Sequence, residues 1–135
     1  MKNLFVFTDG GARGNPGPAA IGFIIKNNQG NILFKKGKCI GRATNNVAEY
    51  TAVIEALKWL SKASCQIADC NFFLDSKLVV NQLNGFYKIK DAKLKLLIIK
   101  VRGLEKEIGK RINYQFIPRQ KNYEADLLVN QSLDK

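Results

Sequence analysis

The chain contains no histidine and only three cysteines among its 135 residues. Cys39, Cys65 and Cys70 are odd in number and form no Cys-x-x-Cys pair, which argues against a disulfide framework. Zinc sites are built mainly from cysteine and histidine, so the same shortage argues against zinc. We expect ordinary reduced thiols, as in a cytoplasmic protein.

Long apolar runs are also missing. No segment approaches the roughly 20 residues that a transmembrane helix requires, and the apolar start at residues 4–7 meets Asp9 too soon for a signal peptide. Hydrophobic residues still make up 46% of the chain, which is enough for a folded core. We therefore expect one domain over residues 1–135, in the cytoplasm and without membrane contact.

Acidic residues are scarce relative to basic ones. The chain has 11 Asp and Glu against 22 Lys and Arg, a formal net charge of +11. Such a charge attracts polyanions, although a basic surface that only maintains solubility is the simpler alternative. The balance indicates nucleic acid as the partner class.

Apolar periodicity and turn signals divide the chain into strands and helices. Short apolar runs predict strands at residues 4–7, 21–26, 32–38, 72–74 and 112–117. A glycine- and proline-rich loop occupies residues 10–18 and a hairpin turn residues 27–31. Helical spacing and capping residues predict helices that begin after Thr44, after Ser76, near residue 94 and near residue 122. We write the order as βββαβαβα, which implies an α/β fold with a five-stranded mixed sheet flanked by helices.

Four acidic residues occur where their carboxylates would point into one cleft. Asp9 and Asp75 end apolar strands, and Glu49 and Asp126 lie about one turn into helices. Each alone is as well explained by a solvated charge or a helix cap. Together they would repel one another without a cation, and carboxylate oxygens suit Mg²⁺ or Mn²⁺. The pattern predicts a divalent-metal site that acts on a phosphate polymer.

The glycine-rich stretch allows two interpretations. It is not a P-loop, since no Gly-Lys-Ser or Gly-Lys-Thr follows, and Pro16 and Pro18 stand where the helix of a dinucleotide fingerprint would begin. A tight turn between strands is the simplest interpretation. Gly10 and Gly11 would also let a sugar-phosphate backbone approach closely, with Asn15 available to bond a 2′-hydroxyl.

Four segments, in order along nearly the whole chain, combine these acids with glycine, asparagine and basic residues. They read TDGGARGNPGP at residues 8–18, TNNVAE at 44–49, LDSKLVV at 74–80 and PRQKNYEAD at 118–126. The set resembles the type 1 ribonuclease H family. The resemblance implies the ribonuclease H-like fold and endonucleolytic hydrolysis of the RNA strand of RNA–DNA hybrids, leaving 5′-phosphate and 3′-hydroxyl ends. It implies two Mg²⁺ ions as cofactors, with Mn²⁺ as a substitute.

The resemblance also assigns roles to the four acids. Asp9 would bridge both metal ions, and Asp126 would hold the ion that activates the water. Glu49 and Asp75 would hold the ion on the leaving-group side.

Substrate contacts follow from the resemblance in the same way. Asn15, Asn45 and Asn46 fall where the family recognises RNA 2′-hydroxyls and minor-groove edges. Arg42 and Thr44 fall where it contacts a phosphate of the DNA strand. Shape, phosphates and 2′-hydroxyls would thus be recognised without base sequence.

Two features depart from many members of the family. The histidine of the loop before the last aspartate is absent, and the loop at residues 119–124 is short. Arg119 is the nearest auxiliary candidate, but it could only supply charge or help release product, because arginine stays protonated. Asn122 is a second auxiliary candidate.

The inserted basic handle of some members is absent as well. Residues 88–111 hold nine basic residues against three acids. The basic residues at the start of this segment either contact the DNA strand or form a solvated helix face; they are Lys88, Lys90, Lys93 and Lys95.

Three other classes remain as alternatives: a catalytically inactive hybrid-binding module, a proofreading-type exonuclease, and a retroelement integrase or resolvase. The exonuclease needs Asp-x-Glu on the first strand, whereas Gly10 and Gly11 follow Asp9. Double-stranded RNA stays open as a second substrate. We expect a monomer, and the positions of Met1 and Lys135 favour a standalone protein over a domain cut from a polymerase.

Overall fold

The computed structural model describes residues 2–63 and 67–135, so that Cys65, one of the expected reduced thiols, lies outside the described residues. The strands in these ranges are β1 (Lys2–Ala12), β2 (Gly17–Lys26), β3 (Ile32–Ala43), β4 (Ile67–Leu74) and β5 (Arg111–Phe116). The α-helices are α1 (Asn45–Lys62), α2 (Lys77–Leu83), α3 (Ala92–Ile108) and α4 (Tyr123–Leu133). A 3₁₀ turn, Arg119–Asn122, leads into α4.

The strands form one mixed sheet in the order β3-β2-β1-β4-β5. The first three strands are antiparallel neighbours, β4 runs parallel to β1, and β5 runs parallel to β4. The predicted fold class is therefore confirmed. The element order is βββαβααβα: the helices predicted after Ser76 and near residue 94 are separate helices, α2 and α3, so the order βββαβαβα was one helix short. Helix α2 ends at Leu83, and Gly85, with φ +79°, lies in the turn that follows it.

The helices cover opposite faces of the sheet. Helix α1 packs on β1 at Gly10, where any Cβ would collide with the backbone carbonyl of Ala48. Helix α4 packs on the other face at Gly22, where a Cβ would lie 2.6 Å from the Ala125 oxygen and 2.8 Å from the Leu128 Cβ. The main core lies on the α1 side, and its largest fully buried side chains include Tyr50, Phe23, Phe72, Leu57 and Leu60.

The predicted loop at residues 10–18 is wrong at both ends. β1 continues through Ala12, with Gly10, Gly11 and Ala12 paired to β2, and β2 already begins at Gly17. Glycine has a low strand propensity, but the antiparallel ladder with β2 outweighs it. Only residues 13–16 remain as the connection, and Asp9 lies within the strand instead of at its end.

Other element ends follow local chemistry. Thr44 Oγ1 accepts a hydrogen bond from the Val47 amide (3.2 Å) and Ser76 Oγ one from the Val79 amide (3.3 Å), so both predicted helix caps are confirmed. β3 and β4 are longer than predicted, extending to Ala43 and starting at Ile67. Within the described ranges, no helix combines the length and the apolar character needed to cross a membrane.

Candidate active site

Three of the four predicted acids meet where β1, β4 and α1 come together. Asp9 lies in β1, and Asp75 directly follows the parallel neighbour β4, so both face the same region of the sheet. Glu49 reaches them from the second turn of α1. Each carboxylate offers one oxygen, and these oxygens lie within 4.8 Å of one another. We call Asp9, Glu49 and Asp75 the acidic cluster.

Glu49 is fixed by a contact that needs glycine opposite it. The Gly10 amide donates a hydrogen bond of 2.7 Å to Glu49 Oε1, and the missing Cβ of Gly10 lets α1 approach this closely. The other oxygen, Oε2, is buried and has no partner among the described residues. A buried carboxylate oxygen without a partner is costly, and a bound cation would satisfy it.

Asp126 lines the same cleft but is not one of the three residues of the acidic cluster. It lies in the first turn of α4, and its Oδ1 is 3.7 Å from Nη2 of Arg119. The Arg119 side chain is 79% exposed, so this ion pair is weak and solvent-screened. Arg119 can therefore move while the acids stay in place.

Burial and crowding of like charges raise the pKa values of the cluster. Burial raises the pKa of Asp9 to about 10, with repulsion from Glu49 as the next cause. Burial also raises the pKa of Glu49 to about 7. For Asp75, burial raises the pKa, while the hydrogen bond from Asn122 and the charge of Arg119 act in the opposite direction.

These shifts describe a site that binds protons when no other cation is present. Three convergent carboxylate oxygens and the unpartnered Glu49 Oε2 form a hard-oxygen donor set, which suits Mg²⁺ or Mn²⁺. The residues present therefore fit the divalent metal that the sequence predicts.

The acids line a cleft of about 410 Å³. Of the other predicted residues, the cleft wall includes Gly10, Gly11, Asn45, Asn46 and Arg119. Three polar residues of the wall were not predicted from the sequence: Arg13, Ser76 and Asn130. Of these three, only Ser76 had been singled out in the sequence, where it was predicted as a helix cap next to Asp75.

Three predicted substrate residues are held by the backbone around the cleft. Asn15 Oδ1 accepts a bond from the Asn45 amide, and Asn45 Oδ1 accepts one from the Ala12 amide, both at 2.9 Å. Thr44 uses its hydroxyl as the α1 cap. The amide groups of Asn15 and Asn45 therefore have fixed oxygens, and their NH₂ donors make no bond within the described part of the chain.

Arg42 and Asn15 do not line the cleft itself. Arg42 lies on β3 in a shallow depression that also contains Cys39 and Leu133. Leu133 lines the acidic cleft as well, so the two recesses are neighbours on one surface.

A second exposed feature lies between α2 and α3. Phe86 and Tyr87 are 75% and 53% exposed, immediately before the basic residues Lys88 and Lys90. Exposed aromatic side chains beside lysines are suited to nucleic acid. The lysines were predicted from the sequence as possible DNA contacts, whereas Phe86 and Tyr87 were not.

Comparison with known proteins decides the family. A family model described as reverse transcriptase-like matches residues 7–132. Ribonuclease HI of Halobacterium salinarum is 39% identical over 131 residues, covering 97% of this chain and 64% of that protein. The solved structure of LC11-RNase H1, isolated from compost, is 42% identical with a TM-score of 0.93, covering 99% of this chain and 97% of that one. The chain belongs to the type 1 ribonuclease H family.

Family relatives differ in length from this chain. The bifunctional protein Rv2228c of Mycobacterium tuberculosis is 40% identical over 132 residues, 97% of this chain but 35% of that protein. The solved N-terminal RNase H domain of Rv2228c, a fusion with maltose-binding protein, aligns with a TM-score of 0.92 at 38% identity and covers 99% of this chain and 95% of that one. The chain thus spans between about a third and two thirds of these curated relatives.

One relative has been solved with its ligand. LC11-RNase H1 in complex with an RNA/DNA hybrid is 41% identical to this chain, with a TM-score of 0.92 over 97% of this chain and 96% of that one. The resemblance and the ribonuclease H-like fold predicted from the sequence are confirmed by these relatives.

Proposed function

We propose that this chain is a metal-dependent endonuclease that hydrolyses the RNA strand of RNA–DNA hybrids. The observation that carries the proposal is the acidic cluster, whose three carboxylate oxygens lie within 4.8 Å of one another. Support comes from the family and from the hybrid bound by LC11-RNase H1.

The four acids would hold the metal ions. Asp9, Glu49 and Asp75 present convergent oxygens, and Asp126 faces the same cleft from α4. Two bound Mg²⁺ or Mn²⁺ ions would activate a water and stabilise charge on the leaving oxygen. The acids are mounted on β1, α1, α4 and the residue that directly follows β4, which are regular elements suited to holding a catalytic geometry.

Arg119 replaces part of what a histidine would do. Its guanidinium lies 3.7 Å from Asp126 and remains largely in solvent. Since it cannot accept a proton at neutral pH, it would attract the scissile phosphate or assist release of the new 5′-phosphate. Protons from the attacking water would leave through solvent.

The cleft wall favours RNA over DNA in the cut strand. The free amide donors of Asn15 and Asn45 stand beside the cleft, where a 2′-hydroxyl accepts a hydrogen bond. Arg42 lies on the neighbouring surface, where it would contact a phosphate of the other strand. The basic residues and the aromatic pair between α2 and α3 would extend this contact.

The test is a cleavage assay with end-labelled RNA–DNA hybrid, double-stranded RNA and double-stranded DNA, in Mg²⁺, Mn²⁺ or chelator. The proposal expects internal cuts in the hybrid RNA that need metal and leave 5′-phosphates. Asp126→Asn should lose cleavage, whereas Asp69→Asn, the same change on β4 outside the cleft, should retain it. Binding of hybrid without cleavage by the unaltered chain would favour a binding module instead.

A further inference from the structure

Asn122 is a deeply buried polar residue within an otherwise exposed turn. Its exposed fraction is 1%, while the three residues before it, Arg119, Gln120 and Lys121, are exposed. Its Oδ1 is buried without a hydrogen-bond partner among the described residues, so the side chain is held through its Nδ2 donor. Helix capping is not its role, because its side chain makes no capping bond to α4.

The Asn122 amide joins the segments that carry the acids. Its Nδ2 donates to the carbonyl of Thr8 at 2.8 Å and to Oδ2 of Asp75 at 3.3 Å. Thr8 directly precedes Asp9 in β1. From Asn122 the chain enters α4, where Asp126 lies in the first turn. One side chain thus contacts one acid and lies close along the backbone to two others.

This bond restricts the Asp75 carboxylate. A carboxylate without a partner rotates about its Cβ–Cγ bond and presents either oxygen at variable angles. The Nδ2 donor engages Oδ2 and so limits this rotation. An amide achieves this without adding charge, whereas a carboxylate at position 122 would repel Asp75 and a lysine would compete with a metal ion.

The same amide also ties the last helix to the sheet. The Thr8 carbonyl receives the shorter of the two bonds, so residue 122 cannot swing away from β1 without losing it. Since α4 begins at the next residue, the position of Asp126 relative to Asp9 depends on this contact. Arg119, 79% exposed, offers no comparable restraint.

We propose that Asn122 is a positioning residue that orients the Asp75 carboxylate toward a divalent cation and fixes the Asp126 helix against β1. The inference rests on the proposed function in so far as it takes the acidic cluster to be a metal site. Partners that orient metal ligands contribute about 10–100-fold to metal affinity or activity, and we expect an effect of that size.

The experiment is calorimetric titration of Mn²⁺ into the full chain without substrate, comparing the unaltered protein with Asn122→Ala. We expect Mn²⁺ affinity to fall about 10–100-fold. The matched control is Asn113→Ala, which removes a side-chain amide bond of 3.2 Å to Asn71 on the sheet away from the cleft. It should bind Mn²⁺ as the unaltered chain does.

Kinetics supply a second readout that a purely structural role would not produce. In Asn122→Ala the Mg²⁺ concentration for half-maximal rate should rise and kcat should fall, each by about 10–100-fold. The KM for hybrid should change less than about twofold, since the cleft wall is intact. Equal Mn²⁺ affinity and equal kcat in Asn122→Ala would overturn the proposal.

A second variant covers the case in which Asn122→Ala does not fold. Asn122→Leu keeps roughly the side-chain volume but removes the donor without adding a charge, so its Mn²⁺ affinity should also fall about 10–100-fold. Retained affinity there would contradict the proposal. Metal binding is measured without turnover, so an unaltered chain that binds Mn²⁺ yet cuts no hybrid would refute the proposed function and leave the test of Asn122 intact.

Discussion

Replacing Asp9 with asparagine should make the metal-free protein more stable while it abolishes nuclease activity. Asp9 is 7% exposed and lies beside Glu49 and Asp75. These surroundings raise its pKa to about 10 from a usual value of 3.8. The folded chain therefore carries a proton on Asp9 at neutral pH, whereas the unfolded chain does not.

The size of the gain follows from this difference. pH 7 lies about three units above the pKa of Asp9 in the unfolded chain. Protonating this carboxyl on folding therefore costs about 4 kcal/mol of folding free energy. Asparagine is neutral in both states and avoids this cost. Glu49 and Asp75 still repel each other in the variant, so we expect a net gain of about 2–3 kcal/mol, or roughly 10 °C in Tm.

The pH dependence fixes the sign. A carboxyl whose folded pKa is raised binds more protons in the folded state, so the contribution of Asp9 to the stability of the unaltered chain falls as pH rises above about 4. The advantage of Asp9→Asn should be near zero at pH 4 and grow through pH 7. Mn²⁺ at a hundred times its dissociation constant should stabilise the unaltered chain by about 3 kcal/mol. The difference in stability between Asp9→Asn and the unaltered chain should therefore become smaller.

Urea unfolding at pH 4, 5.5 and 7, with and without Mn²⁺, measures these differences. Asp69→Asn is the matched control, because it makes the same change on β4 outside the cleft and should show no such trend. A variant that is less stable than the unaltered chain at pH 7, or a gap independent of pH, would refute the reasoning.

Further predictions concern packing, buried hydrogen bonds and charge. Gly10→Ala should lower the free energy of unfolding by about 3 kcal/mol, because its Cβ collides with the Ala48 carbonyl. Gly103→Ala, with nothing within 4 Å of its Cβ on α3, should raise it by up to about 1 kcal/mol; urea titrations compare the two. Tyr50→Phe leaves the Gln82 oxygen without its 2.7 Å donor and should cost about 1–2 kcal/mol, seen in thermal melts. Hybrid affinity, measured by fluorescence anisotropy, should fall at least about tenfold between 50 and 200 mM salt, and an affinity independent of salt would contradict a basic contact surface.

Local chemistry explains what the sequence could predict of the fold. Helix starts at Thr44 and Ser76 and the end of α3 at Gly109 depend on side chains within a few residues. The apolar run at residues 4–7 likewise predicts the centre of β1 from its own residues. The extension of β1 through Gly10 and Gly11 depends on pairing with β2, the next strand, which single-residue propensity does not report.

The candidate site divides in the same way. Each acid carried a local signal, and the structure brings Asp9, Glu49 and Asp75 together, while their role in metal binding stays a prediction. Asn122 carried little signal, because its partners are 114 and 47 residues away in the chain. Contacts of that range are created by the topology of the sheet.

The most direct test of the account compares two glutamates on α1. Glu49 belongs to the acidic cluster, whereas Glu55 pairs on the surface with Lys38 and Lys58. The measurement is the initial rate of RNA cleavage in an RNA–DNA hybrid as Mg²⁺ is varied, for Glu49→Gln and Glu55→Gln. The account predicts a loss of at least about a hundredfold for Glu49→Gln and a rate within about twofold of the unaltered chain for Glu55→Gln. Equal rates in the two variants would contradict the claim that the acidic cluster is the metal-dependent catalytic site.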